Sequence, residues 1–482
     1  MVRGRGDVLI NYNEMLKGLY GSQLSRVADI NRNYERYEGK QGWDVNFELD
    51  YIPTQNITNF IKFLIDKKSR FMFGNEPFLD VRQLKTDAKG STKYADEAQE
   101  KEDLLHKILR ENKFHSKLLK GRKDCSIGGK VAIKLWGDKD KGIKIILSPA
   151  QEFFTQYNID DVDELEKIIF LYSLNDEKEA ANQRIQKQEW EMVGSRCILN
   201  EAIYNGVGDI IKVIETDHNT GLDFIPVIII QNGGLTGETE GVSDVEQIWP
   251  SQDAYNKLIS DDLDALKFNM FPQKVATDAA ESSLENMKIA PGALVDLQTD
   301  LAQSSQGRQA KMENLESNFS YGDKFENTVN RIKNNMFELL DVPNISIDQL
   351  KGLMTSGKSM RGLYWGLISV CEEDWVEWGT AIHTMVDYIF KMVDIYNCYG
   401  ARNIAKRETS LEIEYTFPLL EDIIEEKQMD LEEVIAEAKS RKEYINKWST
   451  VEDVDAELEQ IQTEKQIMAD SYTRDLEINV GE

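Results

Sequence analysis

The sequence predicts an α+β chain whose helices and strands occupy separate stretches. Three observations carry this. Apolar residues recur at helical spacing in two segments before residue 120, at Ile57, Phe60, Ile61, Leu64 and Ile65 and then at Leu104, Leu105, Ile108 and Leu109. Strand-like segments follow one another from residue 130 to residue 230. From residue 243 onward, a long helical pattern, a small mixed insert and a second long helical pattern come in succession. Strand and helix do not alternate as a parallel sheet requires, and no repeat of about 20 to 50 residues is visible.

In chain order, the first 50 residues mix short apolar patches with Gly, Asn and Arg, so their order is expected to depend on contacts made elsewhere. Pro53 and Thr54 are expected to open a helix that Gly74 and Pro77 close. A second helix is expected over Lys93 to Leu119, charged on its outer face. Lys130–Trp136 and Gly142–Leu147 flank Gly137-Asp-Lys-Asp-Lys and read as a hairpin. Lys167–Tyr172, Glu189–Val193, Cys197–Tyr204 and Asp209–Thr216 continue the strands, and Asp223–Ile230 reads as a last buried one. Ser243, with Glu246 three residues on, forms a capping box for a helix over 243–268. Asp253, Asp261, Asp262 and Asp264 mark that helix's solvated face. Lys274–Thr277 and Ala293–Leu297 are strand-like pieces of the insert, which also holds the Gln/Ser-rich stretch Gln303–Gln309. Tyr321–Leu340 is the second long helix, ended by Pro343. Residues 344–357 read as a loop, Lys358–Asn397 as the longest helix and Leu411–Phe417 as a final strand. Tyr364, Trp365, Trp375, Trp378, Tyr388 and Phe390 form an aromatic stripe expected to serve packing.

Composition narrows the function. The chain has 482 residues, which suggests about three structural regions. At 41% hydrophobic and 9% aromatic it has enough apolar side chains for a sizeable core. Its 57 Lys+Arg against 85 Asp+Glu give a net charge of −28, which excludes a tight, sequence-specific DNA binder with a basic face. The excess is uneven: residues 421–482 carry 19 acids and 7 bases, a net −12. Cys125, Cys197, Cys371 and Cys398 form no CxxC pair, so neither a disulfide framework nor a zinc site is expected and a reducing, intracellular setting is. His106, His115, His218 and His383 are equally dispersed, so no metal site is expected. The N-terminus has no apolar core of a secretory signal. The longest apolar run, Phe224–Ile230, falls short of the roughly 20 residues of a membrane span. A soluble protein is expected.

One literal motif stands out. Gly352-Leu-Met-Thr-Ser-Gly357-Lys358-Ser359 fits GxxxxGK[ST], a phosphate-cradling loop. That loop needs a buried strand feeding it and a helix receiving the phosphate. A helix follows, but Asp341-Val-Pro-Asn-Ile comes after a helix and contains Pro343. The competing reading is a loop whose Ser356 or Gly357 caps the next helix. Arg5-Gly6-Asp7 is assigned no role. No Ser/His/Asp or Cys/His arrangement has supporting context, so the residues predict no catalytic site and no cofactor.

Taken in order, the segments about Asn33 to Phe417 resemble tailed-phage portal proteins of the siphophage type. Tyr34-Glu-Arg-Tyr37-Glu-Gly39 resembles that family's N-terminal motif. Asn56-Ile-Thr-Asn-Phe60 and Lys67-Lys-Ser69-Arg-Phe71-Met-Phe73-Gly74-Asn-Glu-Pro77 resemble its most recognisable helix end. Phe224-Ile-Pro226-Val with Gly241-Val-Ser243-Asp244-Val-Glu246 resembles the entry to its first stem helix, and Thr355-Ser356-Gly357-Lys358-Ser359 the start of its long helix. The resemblance implies a portal fold. Residues 1–242 would be an N-terminal region and a mixed α/β wing, 243–270 and 321–342 a two-helix stem, and 271–320 a small α/β clip. Residues 343–357 would be a tunnel loop, 358–420 a long helix and strand completing the wing, and 421–482 an acidic helical crown.

By the same resemblance, the chain would assemble into a ring, usually of twelve copies, at one capsid vertex of a virion, after assembly in the host cytoplasm. Its partners would be the terminase large subunit, a head-completion or adaptor protein, tail proteins, and major capsid and scaffold proteins, with no membrane. Double-stranded DNA would pass through transiently and without sequence preference, which an acidic wall suits because strong phosphate contacts would have to break at every step. Pro343, Asn344, Ile345, Ser346, Gln349, Lys351 and Thr355 are the candidate constriction. Lys324, Arg331, Lys333 and Lys358 are candidate channel-lining cations, the competing reading being salt bridges between subunits or solvated charges. A phosphate-loop enzyme and a structural head or tail scaffold without DNA passage remain alternatives.

Overall fold

The computed structural model describes residues 22–44, 51–83, 92–270, 273–281, 297–305, 307–315, 321–345, 361–419, 423–448, 454 and 456–465. They fall into two compact units, one of Met1–Asn344 with Gly366–Phe417, the other of Ile345–Trp365 with Pro418–Glu482.

The first unit is mixed α and β, as expected. It opens with α1 (Ser22–Glu38), in a stretch with weak local signals. Tyr34 and Tyr37 explain its order: Tyr34 donates to Asp124 at 2.8 Å and Tyr37 to Asp66 at 2.7 Å. α2 spans Phe60–Phe73 and is capped by Asn59, whose side chain accepts from the Lys62 N–H. It therefore begins later than Pro53 and Thr54. Residues 53–59 stay extended because side chains of a later helix take their amides. Gly74 does close α2.

β1 (Phe78–Gln83) was not legible. It pairs antiparallel with β12 (Thr409–Glu414), which comes more than 300 residues later and is shorter than the predicted 411–417 segment. The expected helix over 93–119 is two helices, α3 (Thr92–Glu111) and α4 (Phe114–Gly128). The buried Asn112 forces the break: its side chain accepts from Ile145 N–H and donates to Ile143 O, both at 2.9 Å, and Lys113 turns left-handed at φ 50°.

β2 (Lys130–Asp138) and β3 (Gly142–Pro149) form the predicted hairpin, and β9 (Val227–Gln231) pairs on the other side of β2. β9 starts after Pro226, later than Asp223; Phe224 instead stacks on Tyr388 at 3.9 Å. β4 (Phe153–Tyr157), β5 (Leu165–Ser173), β6 (Ile185–Val193), β7 (Arg196–Tyr204) and β8 (Ile210–Asn219) make a five-stranded antiparallel sheet in sequence order. β4 was not anticipated; the other four correspond to predicted strands.

Period two along β2 explains how the two sheets meet. Val131, Ile133 and Leu135 are fully buried on one face, toward α4. Lys130, Lys134 and Trp136 point the other way, against the five-stranded sheet. Lys134 Nζ lies 4.5 Å from the Phe170 ring centre and 5.3 Å from that of Tyr172, and Trp136 meets Trp190 at 5.8 Å. Gly121 lets α4 approach: a Cβ there would stand 2.2 Å from Leu147 of β3.

α5 (Asp244–Met270), β10 (Gln273–Thr277), β11 (Lys311–Leu315) and α6 (Gly322–Glu338) follow, with β10 and β11 paired antiparallel. The second strand of the insert is thus β11. Of the predicted Ala293–Leu297 piece, residues 293–296 lie outside the described residues and Leu297 is not in a strand. α7 (Trp365–Tyr396) buries Trp375, Trp378 and Phe390 as the stripe predicted, while Trp365 stays 66% exposed.

The second unit contains α8 (Ile423–Ile435) and α9 (Arg441–Trp448). Asp430 joins them, accepting from Lys439 at 2.9 Å and from Trp448 Nε1 at 2.6 Å. Those donors hold its carboxyl well below the usual carboxylate range.

Candidate functional site

The predicted site is the helix pair α5 and α6 with the segment that follows. Tyr321, at the start of α6, hydrogen-bonds Asp262 toward the end of α5. Phe337, near the end of α6, meets Phe60 at 6.1 Å, and Phe60 meets Tyr255 of α5 at 5.1 Å. The two helices therefore run antiparallel.

α5 is fixed at its start and along its length. Ser243 Oγ accepts the Val245 amide at 3.2 Å, the cap expected of it. Glu246 departs from the capping box and accepts from Asn33 of α1 at 2.8 Å. Asp244 enters a buried cluster. Lys68 of α2 stands 3.4 Å from Asp244 and 3.7 Å from Asp374 of α7. Arg122 of α4 donates to Asp374 at 2.5 Å, to Ser126 at 2.8 Å and to Asn232 at 2.9 Å. Asn232 in turn donates to Asp244 at 2.9 Å. Burial opposes both charges, but the opposing partners outweigh it: Arg122 is pushed above its ordinary pKa and Asp244 below its own. The cluster binds the start of α5 to three other helices.

Farther along, Gln252, Asn256, Ser260 and Asp264 recur every fourth residue and are all buried. They face the extended segment before α2. Gln252 accepts from Phe60 N–H at 3.0 Å, Asn256 from Thr58 at 3.1 Å, Ser260 from Asn56 at 2.9 Å and Asp264 from Thr54 at 2.8 Å. Four helical residues rise about 6 Å, and two extended residues about 6.6 Å, so the two periods nearly match over three steps. Asp264 therefore belongs to a ladder and is not on a solvated face. The Gln-x₃-Asn-x₃-Ser-x₃-Asp spacing was readable, but nothing local said what it faced.

The candidate cations separate. Lys324 and Arg331 are exposed and lie about 20° apart around α6. Lys333 is on the opposite face, half-buried, its Nζ 5.8 Å from the Phe60 ring centre. No ion pair involves Lys324 or Arg331 among the described residues. Asp341 turns left-handed at φ 51° after α6. Pro343 O then accepts from Lys67 Nζ at 2.8 Å, and Asn344 donates to Asn334 of α6 at 2.9 Å. Burial lowers the Lys67 pKa. Pro343 and Asn344 are thus anchored to the first unit, and Ile345 is half-buried in the second. Ser346, Gln349, Lys351, Thr355 and Lys358 lie outside the described residues, as does the whole Gly352–Ser359 motif. Residues 339–345, which precede that motif, are turn and coil after a helix, so no strand feeds it there.

All four cysteines are buried as free thiols. Among the described residues, no helix is long and apolar enough to cross a membrane.

The family model "Phage portal protein, SPP1 Gp6-like" matches residues 19–469. The chain belongs to that family. No curated protein sequence matches it. Among solved structures, a chain described as "Neck of native GTA particle computed with C12 symmetry" is 10% identical, covering 80% of this chain and 88% of that one with a TM-score of 0.36. So loose a superposition carries no functional conclusion.

Proposed function

We propose that the chain is the repeating subunit of a ring-shaped portal at one capsid vertex, through which double-stranded DNA is packaged and later released. The carrying observation is that the family match spans residues 19–469, so the portal role applies to nearly the whole chain and not to one embedded segment. In this reading α5 and α6 form the stem, 271–320 the clip, 343–357 the tunnel loop, 358–420 completes the wing and 421–482 is the crown. The antiparallel helix pair flanking a two-stranded insert supports that division.

No chemical step is assigned to the chain: a terminase motor supplies the work, and the ring supplies a path. The exposed face of α6 suits such a path. It presents Lys324 and Arg331 among Asn327, Asn334 and Asn335, with one exposed acid, Glu338, on the same strip, which leaves the strip net positive on a chain of net charge −28. Two cations per subunit can steer a phosphate backbone, while the acidic surroundings limit binding. Head-completion, tail, capsid and scaffold proteins complete the proposed partners, and the virion is the proposed location.

Negative-stain imaging of the purified chain tests this. Rings with a central hole wide enough for duplex DNA are expected. Monomers at every concentration, alone and with scaffold protein, would overturn it.

A further inference from the structure

Between α7 and β12 runs a groove of about 470 Å³. Its helical wall is one stripe of α7, Glu372, Val376, Gly379 and His383, at the spacing of a single helix face. Val376 is 67% exposed there, and a Cβ placed on Gly379 would meet nothing within 4 Å. Leu411, Ile413 and Tyr415 form the other wall. β12 pairs with β1 only, so among the described residues its second edge is free.

Trp375 lines the same groove. It is 4% exposed and stacked on Tyr415 at 4.2 Å. The rim is acidic: Glu372, Glu412 and Glu414 border the groove, with Arg82 of β1 answering the last two. A free strand edge, an exposed apolar floor and surplus carboxylates together fit an extended peptide with basic side chains.

We propose that this groove takes residues 1–13 of a second copy of the chain, added as a strand to the free edge of β12. In Met-Val-Arg-Gly-Arg-Gly-Asp-Val-Leu-Ile-Asn-Tyr-Asn, Arg3 and Arg5 fall on one side of an extended strand and meet the carboxylates. Val8, Leu9 and Ile10 have strand-forming side chains, and the segment has no proline to interrupt pairing. Each copy offers one segment and one groove, a head-to-tail arrangement that a closed ring satisfies at every subunit. The proposal rests on the ring reading in needing that second copy.

The test places the photo-cross-linker benzoylphenylalanine at Val376 in the full chain and mixes isotopically heavy and light copies before assembly. Cross-links between position 376 of one copy and residues 1–13 of another are expected. In Gly379→Leu, whose Cβ meets nothing within 4 Å and whose side chain extends into the groove, the links should vanish while the thermal midpoint holds. Links confined to one copy, links to another segment, links that survive Gly379→Leu, or no links would overturn the proposal. Images of the same sample separate the two failures: rings without links sink the docked strand alone, and no rings sinks both readings.

Discussion

Arg122 of α4 donates to Asp374 of α7 at 2.5 Å, joining segments 252 residues apart. With Lys68, Asp244, Ser126 and Asn232 the pair forms a buried network at the root of α5. Removing one partner of such a pair leaves the other charge uncompensated, a loss of about 3–5 kcal/mol. Arg122→Ala should show this in urea unfolding. Arg122→Lys should recover only part of it, because one ammonium cannot reproduce a fork that reaches Asp374, Ser126 and Asn232.

The same network sets an acid limit. Burial opposes ionisation of Asp244, but Lys68 and Arg122 outweigh it and depress its folded-state pKa. A depressed carboxyl stabilises the fold above its unfolded pKa and loses that contribution as pH falls through the folded value. The midpoint of thermal unfolding should therefore drop as pH falls below about 4. Asp244→Asn should be less stable than the parent at pH 7 and should show a shallower acid decline.

Lys134 has the opposite sign. Burial among Phe170, Tyr172 and Trp190 pushes its pKa down to about 8 from 10.5. Below pH 8 it is charged in both states and its desolvation cost is fully present. Between pH 8 and 10.5 the unfolded chain binds more protons, so stability from this group rises with pH. Lys134→Met should melt a few degrees above the parent at pH 7, with the gap closing toward pH 10.5, by differential scanning calorimetry at several pH values.

The polar ladder on α5 makes a local prediction. Asn256→Ala or Ser260→Ala leaves a half-buried backbone amide, of Thr58 or Asn56, without its acceptor, at about 1 kcal/mol each. Hydrogen exchange followed by mass spectrometry should show faster exchange in peptides covering residues 54–60, with α4 and β2 unchanged.

The face of α6 separates function from stability. Lys324→Glu with Arg331→Glu alters only exposed side chains, so unfolding should change by no more than about 0.5 kcal/mol. Ring images should be unaltered, while packaged DNA per particle should fall, as measured by nuclease protection. Lys333→Glu should behave differently and lower stability, because it puts an anion against the Phe60 ring.

Much of the secondary structure was legible because it follows from local periodicity. The β2–β3 hairpin, four strands of the larger sheet, α5, α6 and most of α7 repeat every two or every 3.6 residues along the chain itself. The motif containing Tyr34 and Tyr37 and the stretch from Asn56 to Pro77 pointed to the family, which the match over residues 19–469 shows.

What local pattern could not reveal depends on distant partners. β1 reads as coil until β12 supplies its hydrogen bonds, and residues 53–59 read as helix until α5 takes their amides. The helix expected over 93–119 breaks because Asn112 binds β3, a choice made by a neighbour strand and not by propensity. Asp264 looked like a solvent-facing charge because charge alone predicts exposure. The sequence by itself determined the order of most elements and the family. Only the tertiary structure decided which polar groups are buried, because a charge leaves water only where distant segments bring it a partner.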